Sequence, residues 1–239
     1  MDQKEYLFYK TTDTYDSAKE LLKTLLPIVG DVESILDFGC GVGSWAKAFQ
    51  ESGVKNCFLI DHPSIDVSKL LIRSDFTFVP ANLDKFLPDV IKVDCVVSTE
   101  VLEHISDYRS DQIIDYLTKC SDLIIFSAAI PRQGGLGHCN EQRHAYWHQK
   151  FYERGFCFYD GFKTEVLDND RIVYWLRQNL FIYYNDKSKK RESFNKRNNI
   201  TNGNFEIVSS YVLNKPFGIK ESAILLYKAI IFKIRRYIE

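Results

Sequence analysis

The chain has 239 residues, 45% of them hydrophobic, and its 31 Lys and Arg against 32 Asp and Glu leave a net charge of −1. That is enough apolar material for one full core, and the balanced charge argues against a protein that coats nucleic acid. The six cysteines, at positions 40, 57, 95, 120, 139 and 157, lack the paired spacing of a zinc site or disulfide framework and read as reduced thiols of a cytoplasmic protein. No charged-then-apolar leader precedes Tyr6 to Tyr15 and no apolar run reaches membrane-spanning length, so neither a signal peptide nor a transmembrane segment is expected.

In chain order, Tyr15 to Leu26 places Ala18, Leu21, Leu22 and Leu25 at helical spacing, with Pro27 where such a helix should stop. Ser34 to Phe38 has the length and character of a buried strand, and Ser44 to Gln50 opens a helical pattern. Asn56 to Asp61 reads as a second strand, Ser64 to Ile72 as a weakly helical piece, and Thr77 to Asp84 as a third strand with its turn. Val93 begins a fourth buried strand that runs into Glu100-Val101-Leu102-Glu103-His104-Ile105. Asp107 to Lys119 and Glu141 to Arg154 are helical, while Leu123 to Ala128, Phe156 to Asp160 and Asn179 to Asn185 supply strands five to seven. Strands alternating with helices predict an α/β fold, a largely parallel sheet with helices on both faces.

The glycines between the first strand and its helix stand in the run Asp37-Phe38-Gly39-Cys40-Gly41-Val42-Gly43, or D-x-G-x-G-x-G. Glycine permits positive φ and close backbone approach to a ligand, and the helix that follows offers free N–H groups. A dinucleotide site needs G-x-G-x-x-G, and here the third glycine comes one residue early. With the E-V-L-E-H-I run, the pattern resembles motifs I and IV of the class I S-adenosylmethionine-dependent methyltransferases, over about Tyr15 to Asn185. The resemblance implies a Rossmann-like seven-stranded sheet of order 3-2-1-4-5-7-6 and S-adenosylmethionine as cofactor. It also implies Gly39, Gly41 and Gly43 beneath the methionine half, Asp37 by its amino group, and Glu100 nearby. Asp61, at the end of the second strand and in register with the glycine loop, is assigned to the ribose hydroxyls, and Asn82 and Leu83 to the adenine edge.

After the fifth strand, Gly134-Gly135-Leu136-Gly137-His138-Cys139-Asn140-Glu141-Gln142, continued by Tyr146-Trp147, resembles a subgroup of methyltransferases from saccharide, capsule and natural-product clusters, as does Trp175 to Leu180. His138 is the candidate general base, on a glycine-flanked loop closed over the acceptor by Asn140, Glu141 and Trp147. His62 is read as a turn residue or adenine neighbour, His148 as packing, and His144 is discounted as a base. Cys139 is not a nucleophile, since methyl transfer needs no covalent enzyme intermediate. Glu100, Glu103 and His104 would share one face of a helical turn. Either Glu100 serves the cofactor and His104 the backbone, with His104 a second outlet for the proton, or the three join His138 around a divalent ion. The second arrangement resembles the Hen-type small-RNA 2′-O-methyltransferases, although His138 follows sooner here than the corresponding histidine does there.

These readings divide the chain into a methyltransferase domain, 1–185, a basic mobile linker, 186–204, and a C-terminal extension, 205–239, with an amphipathic helix from Gly218. That helix would pack on its own domain or on a second copy as a homodimer, or lie on a membrane face. The expected activity is O-methylation of a small polar acceptor, a nucleotide-linked sugar or capsule component, with a phosphoryl or phosphoramidate oxygen chemically equivalent. Metal-dependent RNA 2′-O-methylation and a non-catalytic cofactor-binding scaffold are the alternatives.

Overall fold

The computed structural model describes residues 12–188 and Phe194. A first helix, α1 (Thr12–Val29), is followed by β1 (Ser34–Phe38), α2 (Ser44–Glu51), β2 (Asn56–Asp61), β3 (Phe76–Pro80), β4 (Cys95–Thr99), α3 (Ser110–Cys120) and β5 (Leu123–Ser127). Then come α4 (His144–Tyr152), β6 (Phe156–Tyr159), two short helices, α5 (Lys163–Val166) and α6 (Tyr174–Asn179), and β7 (Phe181–Asn185). The seven strands lie in the order β3-β2-β1-β4-β5-β7-β6. Pairings from β3 through β5 are parallel, and β7 runs antiparallel to both β5 and β6. This is the sheet expected from the sequence.

The helical stripe of α1 is fully buried at Ala18, Leu21 and Leu25. It joins residues of α2 and α6 in the core on one face of the sheet, while Ile113, Ile114 and Leu117 of α3 and Phe151 of α4 fill the other. The central strands β1, β4 and β5 are buried almost throughout, as a parallel sheet covered on both faces requires. Three sequence expectations shift. Helix α1 runs past Pro27 to Val29 and ends at Gly30, whose φ of 75° and amide bond to the Leu26 carbonyl (3.0 Å) make the stop. The piece from Ser64 to Ile72 contains only one 3₁₀ turn, Val67–Lys69, capped by the Asp66 carboxylate. The helix expected from Glu141 starts at His144, because Glu141 is engaged in the preceding loop.

The chain leaves β1 outward to β2 and β3 and returns to the other side of β1 as β4, so the sheet has its topological switch point between β1 and β4. Ligands of open α/β sheets bind at the carboxyl ends of such strands. No helix of the described residues is long and apolar enough to cross a membrane. The expected C-terminal helix and most of the basic stretch lie outside the described residues. Within that stretch, Phe194 is fully buried and stacks on Tyr184 at 4.4 Å.

Candidate active site

A cavity of about 510 Å³ opens at the switch point, lined by the glycine loop, the ends of β2 and β4, the 133–138 loop and α6. Its first wall is built largely of backbone. The amides of Gly39 and Cys40 both donate to the Ile60 carbonyl, at 2.8 and 3.1 Å, which folds the loop across the end of β2. At Gly39, with φ of 76°, a Cβ would stand 2.4 Å from Val101 Cγ2, so both dihedral and packing demand glycine. A Cβ at Gly41 would meet nothing within 4 Å, which leaves that side of the loop open to a ligand. Gly43, also left-handed, starts α2.

Two carboxyl groups fix this wall. Asp61 accepts from the Gly41 amide at 2.7 Å and from the His62 amide at 2.5 Å, and burial nonetheless raises its pKa. Asp37 accepts from the Ala46 amide at 3.1 Å, and burial pushes it up to about 7, opposed by that amide and reinforced by the nearby Asp61. Asn82 and Leu83 border the same cavity, and His62 turns back onto Ser64 Oγ at 2.7 Å.

The second wall is made of side chains drawn from distant parts of the chain. Glu100 follows β4 with φ of 54°, a costly conformation for a residue with a Cβ. The helical face expected for Glu100, Glu103 and His104 therefore does not form, and the turn that does is a 3₁₀ turn, Leu102–His104. Glu100 is held instead by Gln133 Nε2 at 2.9 Å and Asn179 Nδ2 at 3.2 Å, and its amide donates to the Ser127 carbonyl. Glu103 is fully buried with neither carboxylate oxygen hydrogen-bonded, and burial followed by the neighbouring Glu100 raises its pKa well above the usual range. His104 is pushed down to about 4 by burial and by His138, whose ring meets its own edge-on at 4.7 Å between centroids. One ligand atom each from Glu103, His104 and His138 lie within 4.8 Å of one another. Glu100, the fourth ligand in the sequence reading, is outside that cluster.

The loop that carries His138 is clamped by Glu141. One oxygen of Glu141 accepts from the Arg132 amide at 2.9 Å, while the other accepts from the Gly134 amide at 2.7 Å and pairs with His138 Nδ1 at 2.9 Å. These contacts outweigh burial and lower the Glu141 pKa. A proton on Nδ1 shared with Glu141 leaves Nε2 as the basic nitrogen. The imidazole lies so close to Gly135 that a Cβ there would stand 2.2 Å from Nε2. Glu141 is thus a loop clamp that orients His138, which corrects its assignment to the acceptor.

Two other sequence assignments are also corrected. Asn140 is 3% exposed, and its amide group bonds to the Leu102 carbonyl and Ser110 Oγ, both at 3.2 Å. Its own backbone amide and that of Cys139 donate to the Glu103 carbonyl, tying the loop to the 3₁₀ turn. Trp147 is 1% exposed and packs on Phe126 in the core, away from the cavity. His144 is buried against Asn179 and His148 stacks on Phe158 at 4.0 Å, so neither faces the cavity.

The polar network behind Glu100 was not read from the sequence. Gln178 Nε2 donates to Asn179 Oδ1 at 2.8 Å, Asn179 Nδ2 also donates to Gln133 Oε1 at 2.8 Å, and Lys163 Nζ donates to the Gln178 carbonyl at 2.7 Å. The available signal was a polar Gln178-Asn179 pair between Leu176 and Leu180, at a position leading into a buried strand. Polar groups there must be satisfied by something inside the fold.

Fold and site together define a nucleotide-cofactor enzyme of the Rossmann-like kind, with the cofactor at the β1–β4 switch point. The sequence model of a family described as "Methyltransferase domain" matches residues 9–166, well over half of the chain, and the chain belongs to that family: it is an S-adenosylmethionine-dependent methyltransferase. No curated protein sequence matches it. Among solved structures, magnesium protoporphyrin IX methyltransferase of Synechocystis PCC 6803 with bound S-adenosylmethionine is similar at 17% identity and a TM-score of 0.54, over 77% of this chain and 86% of that one. An S-adenosylmethionine-dependent methyltransferase of Mesorhizobium loti is similar at 18% identity and TM-score 0.51, over 71% and 98% of the two chains. The methyltransferase domain of a bacterial Hen1 gives 11% identity and TM-score 0.50, over 71% and 98%. At these identities the likeness concerns the fold.

Proposed function

We propose that this methyltransferase transfers a methyl group to a hydroxyl of a small polar acceptor of the saccharide class, with His138 as general base. The observation that carries the reading is His138 on the cavity wall, paired through Nδ1 with Glu141. The glycine loop suits the cofactor, because its open side at Gly41 lets a ligand approach the backbone and Asp61 stands at its edge. Bound S-adenosylmethionine supplies a methyl group already activated on sulfur. Asp61 would hold the ribose hydroxyls, Asp37 and Glu100 the methionine end, and Asn82 and Leu83 would border the adenine. His138 Nε2 would accept the hydroxyl proton as the acceptor oxygen bonds to the methyl carbon and the S–CH₃ bond breaks to leave S-adenosylhomocysteine, and Glu141 would stabilise the imidazolium that results.

The cluster of Glu103, His104 and His138 supports a second reading, in which a divalent ion bound there polarises the acceptor hydroxyl. The donor set fits a first-row divalent metal, and the unbonded oxygens of Glu103 would gain a partner. Conversion of S-adenosylmethionine to S-adenosylhomocysteine over a panel of sugars, with and without EDTA, separates the two. The base reading requires turnover that survives chelation. Loss in EDTA with recovery on adding a divalent ion selects the metal, and failure on every hydroxyl acceptor defeats O-methylation itself.

A further inference from the structure

The run Trp175 to Leu180 makes up most of α6 and leads into β7, and its residues face two ways. Trp175 and Leu176 line the cavity, while Gln178 and Asn179 are 2% and 1% exposed and lie outside its lining. Three buried carboxamides, those of Gln133, Gln178 and Asn179, meet there, and each has one orientation that pairs its donors with acceptors. Asn179 Oδ1 accepts from Gln178 Nε2 at 2.8 Å and pairs with His144 Nε2 at 3.3 Å. Gln133 Oε1 accepts from Asn179 Nδ2 at 2.8 Å and from Gln178 Nε2 at 3.4 Å. With both oxygens occupied in this way, the NH₂ groups of Asn179 and Gln133 turn to Glu100, one onto each carboxylate oxygen, at 3.2 and 2.9 Å.

The network is built to hold a carboxylate. A carboxamide at position 100 would turn its own NH₂ onto one of these donors. The backbone of Glu100 is fixed as well, since its amide donates to both the carbonyl and Oγ of Ser127, at 3.0 and 3.1 Å, which maintains the left-handed φ of 54°. Helix α6 is pinned in turn, by Lys163 Nζ on the Gln178 carbonyl at 2.7 Å and by Arg177 Nη1 on the Leu167 carbonyl at 2.8 Å. Glu100 itself is half-buried on the cavity wall, so its direction is set before a ligand arrives. A fixed anion binds a cation without the cost of ordering a free side chain. The cation in question is the ammonium group of the cofactor, and the inference rests on the methionine end lying at Glu100 as proposed above. Asn179 does not line the cavity, so its effect on a ligand must pass through the residues it holds.

We propose that Asn179, with Gln133 as second donor, is a positioning residue: it aims the Glu100 carboxylate at the ammonium group and so sets the affinity for the amino-acid end of the cofactor. The test compares S-adenosylhomocysteine, by calorimetry, with 5′-methylthioadenosine, by NMR titration, since the latter keeps the adenosyl thioether and lacks the amino acid. Asn179→Asp keeps the size of the side chain and the oxygen that Gln178 meets, but turns an acceptor onto Glu100. It should weaken S-adenosylhomocysteine about tenfold, the loss of one charge-assisted hydrogen bond, and methylthioadenosine by less than about twofold. Gln133→Met removes the other donor at similar size, should act in the same direction, and takes the place of Asn179→Asp if that variant does not fold. Glu100→Ala should lose at least as much, and adding either carboxamide change to it should lose nothing more, because a residue that acts through Glu100 then has nothing to act on. Equal losses for the two ligands, or additive losses in the double variant, overturn the proposal and make the carboxamides part of the scaffold. Normal binding in both carboxamide variants with a weakened Glu100→Ala overturns it and leaves the methionine end at Glu100. Normal S-adenosylhomocysteine affinity in Glu100→Ala overturns both.

Discussion

The two walls of the cavity are made in different ways. The cofactor wall is a continuous stretch of chain, Asp37 to Gly43, closed by Asp61 from the neighbouring strand, and most of its donors are backbone amides. The acceptor wall assembles Glu103, His104, Gln133 and His138 from segments far apart in sequence, with Glu100 between it and the methionine end and Asn179 behind Glu100, and its contacts run mostly between side chains. A backbone cradle depends on glycines and on strand register, so many sequences can build it around one cofactor. A wall of convergent side chains can change residue by residue, which is where a methyltransferase fold acquires its own acceptor.

That contrast gives the first test. Asp61 ties the glycine loop to β2 through two short amide bonds and is the proposed ribose partner. Asp61→Ala should lower affinity for S-adenosylhomocysteine at least tenfold by calorimetry, since each charge-assisted bond contributes roughly 1.5–3 kcal/mol. Acceptor affinity should change little. A variant that binds the cofactor normally would break the division of labour between the walls.

A matching change on the other side is Glu141→Gln. The amide keeps the size of the carboxylate but cannot stabilise an imidazolium as an anion does, and its NH₂ faces amide donors. Turnover should fall about tenfold with cofactor affinity unchanged. Equal losses in cofactor affinity and turnover would mean that the loop serves both walls.

The smallest effect is one of pH. Burial has raised Asp37 to about 7, so in the empty protein its carboxyl is largely protonated below that value. An ammonium group at the methionine end requires the carboxylate, so cofactor affinity should rise as pH increases from about 6 to 7.5, by roughly fivefold to tenfold, and level off above. The linkage to folding has the opposite sign. The native state holds a proton that the unfolded chain has released, so this group's contribution to stability is complete below the usual carboxylate range and is lost as pH rises towards 7. In Asp37→Asn the pH dependence of affinity should vanish; persistence of the same slope would assign it to another group.

The same contrast explains what the sequence disclosed. Strands β1 and β2 match their expected bounds because short apolar runs ending in an acid, next to glycines, allow few other conformations. Asp61 follows from its register with that loop and Asp37 from the resemblance of the run to the methyltransferase motif, and both line the cavity. Glu103, His104 and His138 were singled out by residue type, but the helical geometry assumed for the first two fails at Glu100, whose left-handed φ no local pattern announces. Asn140, Glu141 and Trp147, expected to close the loop over the acceptor, hold the loop or fill the core instead. A polar residue within a loop reads the same whether it faces ligand or holds the loop, and only the third dimension separates the two. The Gln133–Gln178–Asn179 network was hidden for a related reason, since its members are far apart and unremarkable one by one.

The central claim is that His138 removes the acceptor proton while a separate wall holds the cofactor. It is tested most directly by single-turnover formation of S-adenosylhomocysteine with an acceptor sugar that the wild type methylates, comparing wild type with His138→Ala in EDTA at equal cofactor saturation. The account predicts a loss of about 10²- to 10⁴-fold in the rate with calorimetric cofactor affinity unchanged. A variant that retains near-normal turnover under those conditions would contradict it.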